Sequence, residues 1–252
     1  MNEDIDLEKN KELETNFSEE VLPEHGNPPS LKRIDRKYIL SELASVFYLN
    51  KGIFYTIKEL LVRPGTSVQK FLHSDRNRLV KPITFIIVCS LIYTLAQQYL
   101  KFDNGNVEFL RGYTDTLEIE KSALSTIFGW VKKNYGYANI LMSFFVLIWV
   151  RLLFKKYHYN AFEILILLFY VMGTGTLIYT TFGISESIMN SGLLYLGGII
   201  GFFYSSWAIG QFFDSAKRLN YLKGAMAYLL GIIIFYFILL VIGTGIDFAS
   251  IG

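Results

Sequence analysis

Residues 229–243 read LLGIIIFYFILLVIG, with no charge and no proline. A hydrocarbon core about 30 Å thick takes roughly 20 helical residues to cross, and extended to 224–246 this apolar stretch is long enough. In lipid every backbone N–H and C=O has to find its partner within the structure, which restricts such a run to a helix. Four more stretches follow the same pattern. One opens at Pro82 as PITFIIVCSLIYTLA and closes near Leu100; the others cover 137–154, 161–183 and 192–213. The 137–154 stretch is centred on NILMSFFVLIWV and is short, but Arg151 near its end can reach the head groups along its own aliphatic stem. The chain of 252 residues, 52% hydrophobic and 16% aromatic, is therefore expected to be all-α. The expected architecture is an integral membrane bundle of about five transmembrane helices, spanning 82–252, with amphipathic helices before it.

The charges fall in blocks. Residues 1–30 carry nine acids and only Lys9 and Lys11 as bases, with Pro23, Pro28 and Pro29 among them. A segment that polar cannot bury enough apolar surface to offset the entropy of ordering, so it reads as a disordered acidic tail, not as a signal peptide. Between Leu31 and Lys81 the balance reverses to eleven bases against four acids. Lys and Arg near spans mark the cytoplasmic side. Arg151, Lys155 and Lys156 lie between spans two and three, and Lys217, Arg218 and Lys223 between spans four and five. The segments 184–191 and 247–252 have no base at all. The alternation predicts a cytoplasmic N-terminus and an external C-terminus. The 101–136 segment, with five bases and five acids, falls outside; in it 117–131 reads as one more amphipathic helix, with Trp130 suited to the interface.

Residues 31–81 form a distinct platform. Ile39, Leu40, Leu43, Val46 and Phe47 share one helical face, and Ile53, Phe54, Ile57, Leu60 and Leu61 repeat the spacing after Asn50-Lys51-Gly52. Pro64-Gly65 is expected to end the second helix. Thr66 with Gln69 has the spacing of a capping box for a third, containing Val68, Phe71 and Leu72. These stripes suit either packing on the span ends or lying in the head-group layer. Arg63, Arg76, Arg78 and Lys81 form a basic collar just before the first span. Each such base near an anionic leaflet contributes about 1 kcal/mol, which makes this collar the candidate site for anionic head groups.

The run RPGTSVQKFLHSDRNRLVKP (63–82), preceded by KGIFYTIKELL (51–61), resembles an uncharacterised family of bacterial membrane proteins known as a domain of unknown function. The resemblance covers Leu31 to about Leu95. It rests on the Arg-Pro-Gly turn, the short helix, the Arg-rich stretch and the Pro that opens the first span. It implies location in the cytoplasmic (inner) membrane and a shared architecture, and brings no activity. Many relatives begin with a zinc-ribbon-like CxxC element; this chain has none, so no metal role carries over.

Within the spans, ionisable groups are functional candidates because each is costly in lipid. Glu163 opens span three at the interface, where solvent is expected to reach it. Tyr170, Thr174 and Thr181 follow it at +7, +11 and +18, close to one line down a helix. Ser90, Thr94 and Gln97 form a similar stripe on span one. Facing each other, the two stripes would line a hydrated path or bond across helices. Gly197, Gly201 and Ser205, with Ala227 and Gly231, read as packing seams, within one chain or between two. Cys89, the lone cysteine, reads as a small packing residue, and His25, His73 and His158 have no ligand-spaced neighbours. The Asp103–Asn106 turn, DNGN, lacks the carboxylates of a calcium loop. Neither HExxH, GxSxG nor a phosphate-binding glycine loop is present. No cofactor, catalytic residue or nucleic-acid partner is therefore expected. The leading expectation is a non-catalytic scaffold, binding anionic lipid or a membrane protein partner, or assembling with its own kind. The alternatives are a small oligomeric transporter or channel and an enzyme modifying phosphate-headgroup lipids. A transporter built on Pro-broken helices would need prolines beyond Pro82, and there are none.

Overall fold

The computed structural model describes residues 52–100, 102, 123–189 and 192–251, all within the compact unit Arg33–Gly252. The acidic tail, the helix expected around 39–47 and the DNGN turn lie outside the described residues. Eight α-helices and no strand occur among those described: α1 (Ile53–Val62), α2 (Pro64–His73), α3 (Pro82–Leu100), α4 (Ala123–Lys133), α5 (Tyr135–Leu153), α6 (Ala161–Met189), α7 (Leu193–Asp214) and α8 (Arg218–Ile251). Five of them, α3, α5, α6, α7 and α8, are long and apolar enough to cross a membrane.

The apolar stretches locate these five helices, but two of the helices outrun them. α6 continues to Met189, six residues past the stretch, and α8 starts at Arg218 and ends at Ile251. At 1.5 Å per residue α8 is about 51 Å long, well beyond a hydrocarbon core of about 30 Å. Helix formation does not stop where lipid stops. Ser185 and Ser187 simply turn their hydroxyls back onto the carbonyls of Thr181 and Ile184, within the helix. Lys223, expected in a loop, lies inside α8, and the turn between α7 and α8 shrinks to Ser215–Lys217.

α6 is the inner helix. It packs against α3, α5 and α7, while α8 leans on α5 and α7 and carries α4 along its far half. The most apolar window of α6 is 72% buried, against 17% for α8. α8 instead presents Met226, Leu229, Ile233, Phe237 and Val241 outward, as a helix facing lipid does. The seams expected on α7 and α8 do not meet each other. A Cβ on Gly197 would fall 2.6 Å from Phe182 of α6, and one on Gly231 would fall 2.7 Å from the Val146 Cα of α5. Both glycines serve close approach between helices of this chain.

Acids sit at helix N-termini, where they meet unpaired backbone N–H groups and the positive end of the dipole. Asp247 accepts from the Ala123 and Leu124 amides of α4, and Glu186 from those of Gly192 and Leu194 at the start of α7. Glu163 and Asn160 form a reciprocal capping box on α6: the Asn160 N–H donates to Glu163 Oε2 at 2.7 Å and the Glu163 N–H to Asn160 Oδ1 at 2.8 Å.

Candidate functional site

The helix before Pro64 ends at Val62, as expected, and Pro64 itself opens α2, ahead of the Thr66 expected to cap it. Only Arg63 separates α1 from α2, with Pro64 at the first helical position. A proline there loses nothing, because the first-turn N–H groups have no intrahelical partner. The expected Thr66–Gln69 cap does not form; the partners come from α7. The Gly65 N–H donates to Gln211 Oε1 at 2.8 Å, and the Gln69 amide donates to the carbonyl of Phe212. A Cβ on Gly65 would stand 2.4 Å from the Phe212 nitrogen, so glycine is what lets α2 seat against α7.

The rest of the platform is fastened the same way. The Tyr204 hydroxyl donates to the carbonyl of Leu60, one of the unpaired groups at the end of α1, at 3.1 Å. The Thr56 hydroxyl of α1 accepts from the Val80 N–H at 3.0 Å, and the Val80 carbonyl accepts from the Tyr170 hydroxyl of α6 at 2.7 Å. Leu60, Val68, Phe71 and Tyr170 are fully buried around these bonds. α1 is therefore held level with Val80, two residues before α3 begins.

That placement divides the basic collar. Arg78 pairs with Glu59 at 3.1 Å and stands over the Tyr55 ring, while Glu59 also accepts from the Ser67 hydroxyl. Arg76 is half-buried; Arg63 and Lys81 are exposed. The outer face of α1 adds something the spacing missed. Ile53, Thr56, Ile57 and Leu60 turn inward, yet Phe54 is 83% exposed, and Leu61 and Val62 are exposed beside it with Lys58. The inward stripe was legible as a period of 3.6. The second apolar face was hidden because Phe54 and Leu61 had been counted into the first.

The Ser90 and Tyr170 hydroxyls, one on each polar stripe, turn to partners outside both stripes. The Ser90 hydroxyl donates to the carbonyl of Gly136 in α5, and Thr94 turns back onto the Ser90 carbonyl of its own helix; Gln97 is half-buried further along α3. On α6, Glu163 is 6% exposed and occupied in its capping box, where solvent had been expected. Tyr170 holds the platform, Thr174 is buried beside Tyr204, and Thr181 is exposed with its hydroxyl on the Leu177 carbonyl.

Residues 50–94 match the model of a family described as a protein of unknown function, DUF3667. The matched residues include α1, α2 and most of α3, the platform together with the helix it is tied to. No curated protein and no solved structure matches the chain significantly.

Proposed function

We propose that this chain is a non-catalytic protein of the cytoplasmic membrane whose platform lies in the head-group layer and holds anionic lipid. The observation that carries this reading is the outward apolar face of α1, fixed at the level where α3 begins. Burying Phe54, Leu61 and Val62 in the acyl boundary contributes roughly 3–5 kcal/mol, allowing for the parts already covered. Lys58 and Arg63 flank that face and are exposed, where each base adds about 1 kcal/mol toward an anionic leaflet, while Arg78 is paired with Glu59. Lys155, Lys156 and Lys217 lie at the ends of α5 and α7 that the platform adjoins, which supports a cytoplasmic position for this side.

The rival readings find less support. A conduit along the Ser90 and Glu163 stripes needs polar groups open along its length, whereas the Ser90, Thr94, Tyr170 and Thr181 hydroxyls are bonded to Gly136, Val80 and local carbonyls and Thr174 is buried. A lipid-modifying enzyme needs an acid or base held beside the collar; Glu59 is engaged by Arg78 and Ser67, Asp75 by the Asn77 amide and Glu163 by the start of α6, while His73 is exposed beside the Tyr159 ring.

The test places a fluorophore at position 54 of the full chain in nanodiscs, with quenchers dissolved in lipid or in water. Quenching from the lipid side, with bound phosphatidylglycerol lost in a K58A/R63A variant by native mass spectrometry, is the expected result. Quenching only from water, with lipid retention unchanged, overturns the reading. A probe shielded from both quenchers makes a protein partner the occupant of this face and overturns it as well.

A further inference from the structure

Away from the platform, where α5 begins and α6 ends, the bundle is not filled. A cavity of about 100 Å³ lies among α5, α6, α7 and α8. Tyr135, Tyr179, Tyr228 and Tyr236 line it, together with Asn139, and no charged side chain does. Its α7 wall is Gly197, Gly198 and Gly201 with Phe202. A Cβ on Gly198 would meet no heavy atom within 4 Å. Glycine at 65 permits contact; at 198 it leaves space.

Asn139 is 4% exposed, and half of its amide is unused. Its Nδ2 donates to Thr176 Oγ1 at 2.6 Å and approaches the Met172 carbonyl at 3.4 Å, whereas Oδ1 is buried without a hydrogen-bond partner. The Thr176 hydroxyl already donates to that same carbonyl at 2.9 Å. A flipped amide would set its oxygen against the Met172 oxygen, so the neighbours assign the nitrogen to α6 and leave the acceptor over. A buried acceptor left unmatched is costly, and the remedy is a donor from outside the chain.

A second space leads to it. A groove of about 370 Å³ runs along α7 between Leu194 and Phe203 and shares Tyr179, Gly198 and Phe202 with the cavity. Tyr195, Ile199 and Phe203 on its rim are exposed on the outside of the bundle, in a stretch long and apolar enough to face lipid. Water alone would serve Asn139 and the phenols but would not call for an apolar groove several times larger beside them. A charged head group would find no counter-charge in the lining.

We propose that this pair of spaces is a binding site for an uncharged long-chain alcohol, its hydroxyl donating to Asn139 Oδ1 and its chain lying in the groove along α7. The cavity is smaller than the roughly 150 Å³ that accommodates benzene in an engineered apolar core, so a hydroxyl and its first few carbons fit better than a ring. Gly198 is the junction between head and chain.

The experiment measures saturable binding of radiolabelled dodecan-1-ol to the full chain in nanodiscs, corrected for empty discs, with 1-methoxydodecane as competitor. The alcohol is expected to bind about tenfold more tightly than the ether, which offers no donor. Asn139→Leu is expected to erase that preference, and Gly198→Val to abolish saturable binding at unchanged thermal stability. If Gly198→Val misfolds, the alcohol-to-ether ratio in wild type and Asn139→Leu decides alone. Equal binding of alcohol and ether to the wild type, no saturable binding, or wild-type binding by a folded Gly198→Val overturns the proposal and leaves a hydrated packing gap.

Discussion

The two ends of the bundle solve opposite problems with similar residues. At the platform end the chain breaks between α1, α2 and α3 bring helix termini into the interior, and each buried backbone group there draws a side chain from another element. Tyr204 serves Leu60, Tyr170 serves Val80, Thr56 takes the Val80 N–H, and Gln211 takes the Gly65 N–H. Aromatic rings close the remainder, Phe154 and Phe213 stacking with centroids 4.0 Å apart. At the other end Asp247 and Glu186 take the backbone amides at the starts of α4 and α7, and inside the bundle Tyr135, Tyr179, Tyr228 and Tyr236, with the open side of Gly198, border unfilled space. Tyrosine makes a seal where its hydroxyl reaches an interrupted backbone and a chamber wall where it lines the cavity.

The strongest way to break this contrast is to add one methyl group at each end. Gly65→Ala drives a Cβ into the Phe212 backbone and is expected to cost about 1–3 kcal/mol or more, read as a lower midpoint of thermal unfolding in detergent. Gly198→Ala enters empty space and is expected to leave that midpoint within experimental scatter. Equal losses at the two positions would mean that the far end is as tightly filled as the platform.

Hydroxyl and amide deletions sharpen the same point. Tyr204→Phe leaves the Leu60 carbonyl buried and unmatched, at an expected cost of about 1–3 kcal/mol. Asn139→Leu removes an acceptor that has no partner, and Thr176 keeps its own bond to Met172. Its effect on unfolding in ligand-free detergent is expected below about 1 kcal/mol. A cost for Asn139→Leu matching that of Tyr204→Phe would show that the far-end amide is structural.

Asp247 tests whether the far end depends on capping. Asp247→Ala strips the start of α4 of its acceptor and is expected to cost about 1 kcal/mol, with faster hydrogen exchange confined to the first turn of that helix. Exchange unchanged at Ala123 and Leu124 would remove Asp247 from that role.

The smallest effect is a pH dependence at the platform end. Burial, and then the Glu163 carboxylate, raise the Tyr159 phenol above its ordinary value of 10.0, partly offset by Gln69. The unfolded chain therefore ionises first. Stability from this group is complete below pH 10 and is lost as pH rises through the raised value. Tyr159→Phe is expected to flatten that part of the alkaline stability curve, and an unaltered slope would sink the assignment.

How much of this was legible depends on the range of the interaction concerned. The five long helices were readable because an apolar run of about 20 residues has few physical alternatives. Helix ends were read less well: α6 and α8 overran their apolar stretches, and α2 starts at Pro64, not at the Thr66 expected to cap it. The overrun is local, since a helix continues past its apolar residues, whereas the seating of α2 depends on a partner remote in sequence, Gln211 for Gly65, 146 residues apart. The collar arginines were found, but not that Arg78 is spent on Glu59. Asn139 stood in plain view inside an apolar run and was passed over, because nothing in its neighbours revealed that half of its amide goes unused.

Composition and periodicity by themselves determined that this chain is an all-α protein with, among the described residues, five helices able to cross a membrane. Hydrophobicity is a property of local sequence, so it can be summed along the chain. Only the tertiary structure decided which glycines touch and which leave room, which helix ends are sealed and by whom, and which face of α1 is left outside. Those outcomes depend on pairs of residues up to 146 positions apart, and the packing of helix on helix is what brings such pairs together.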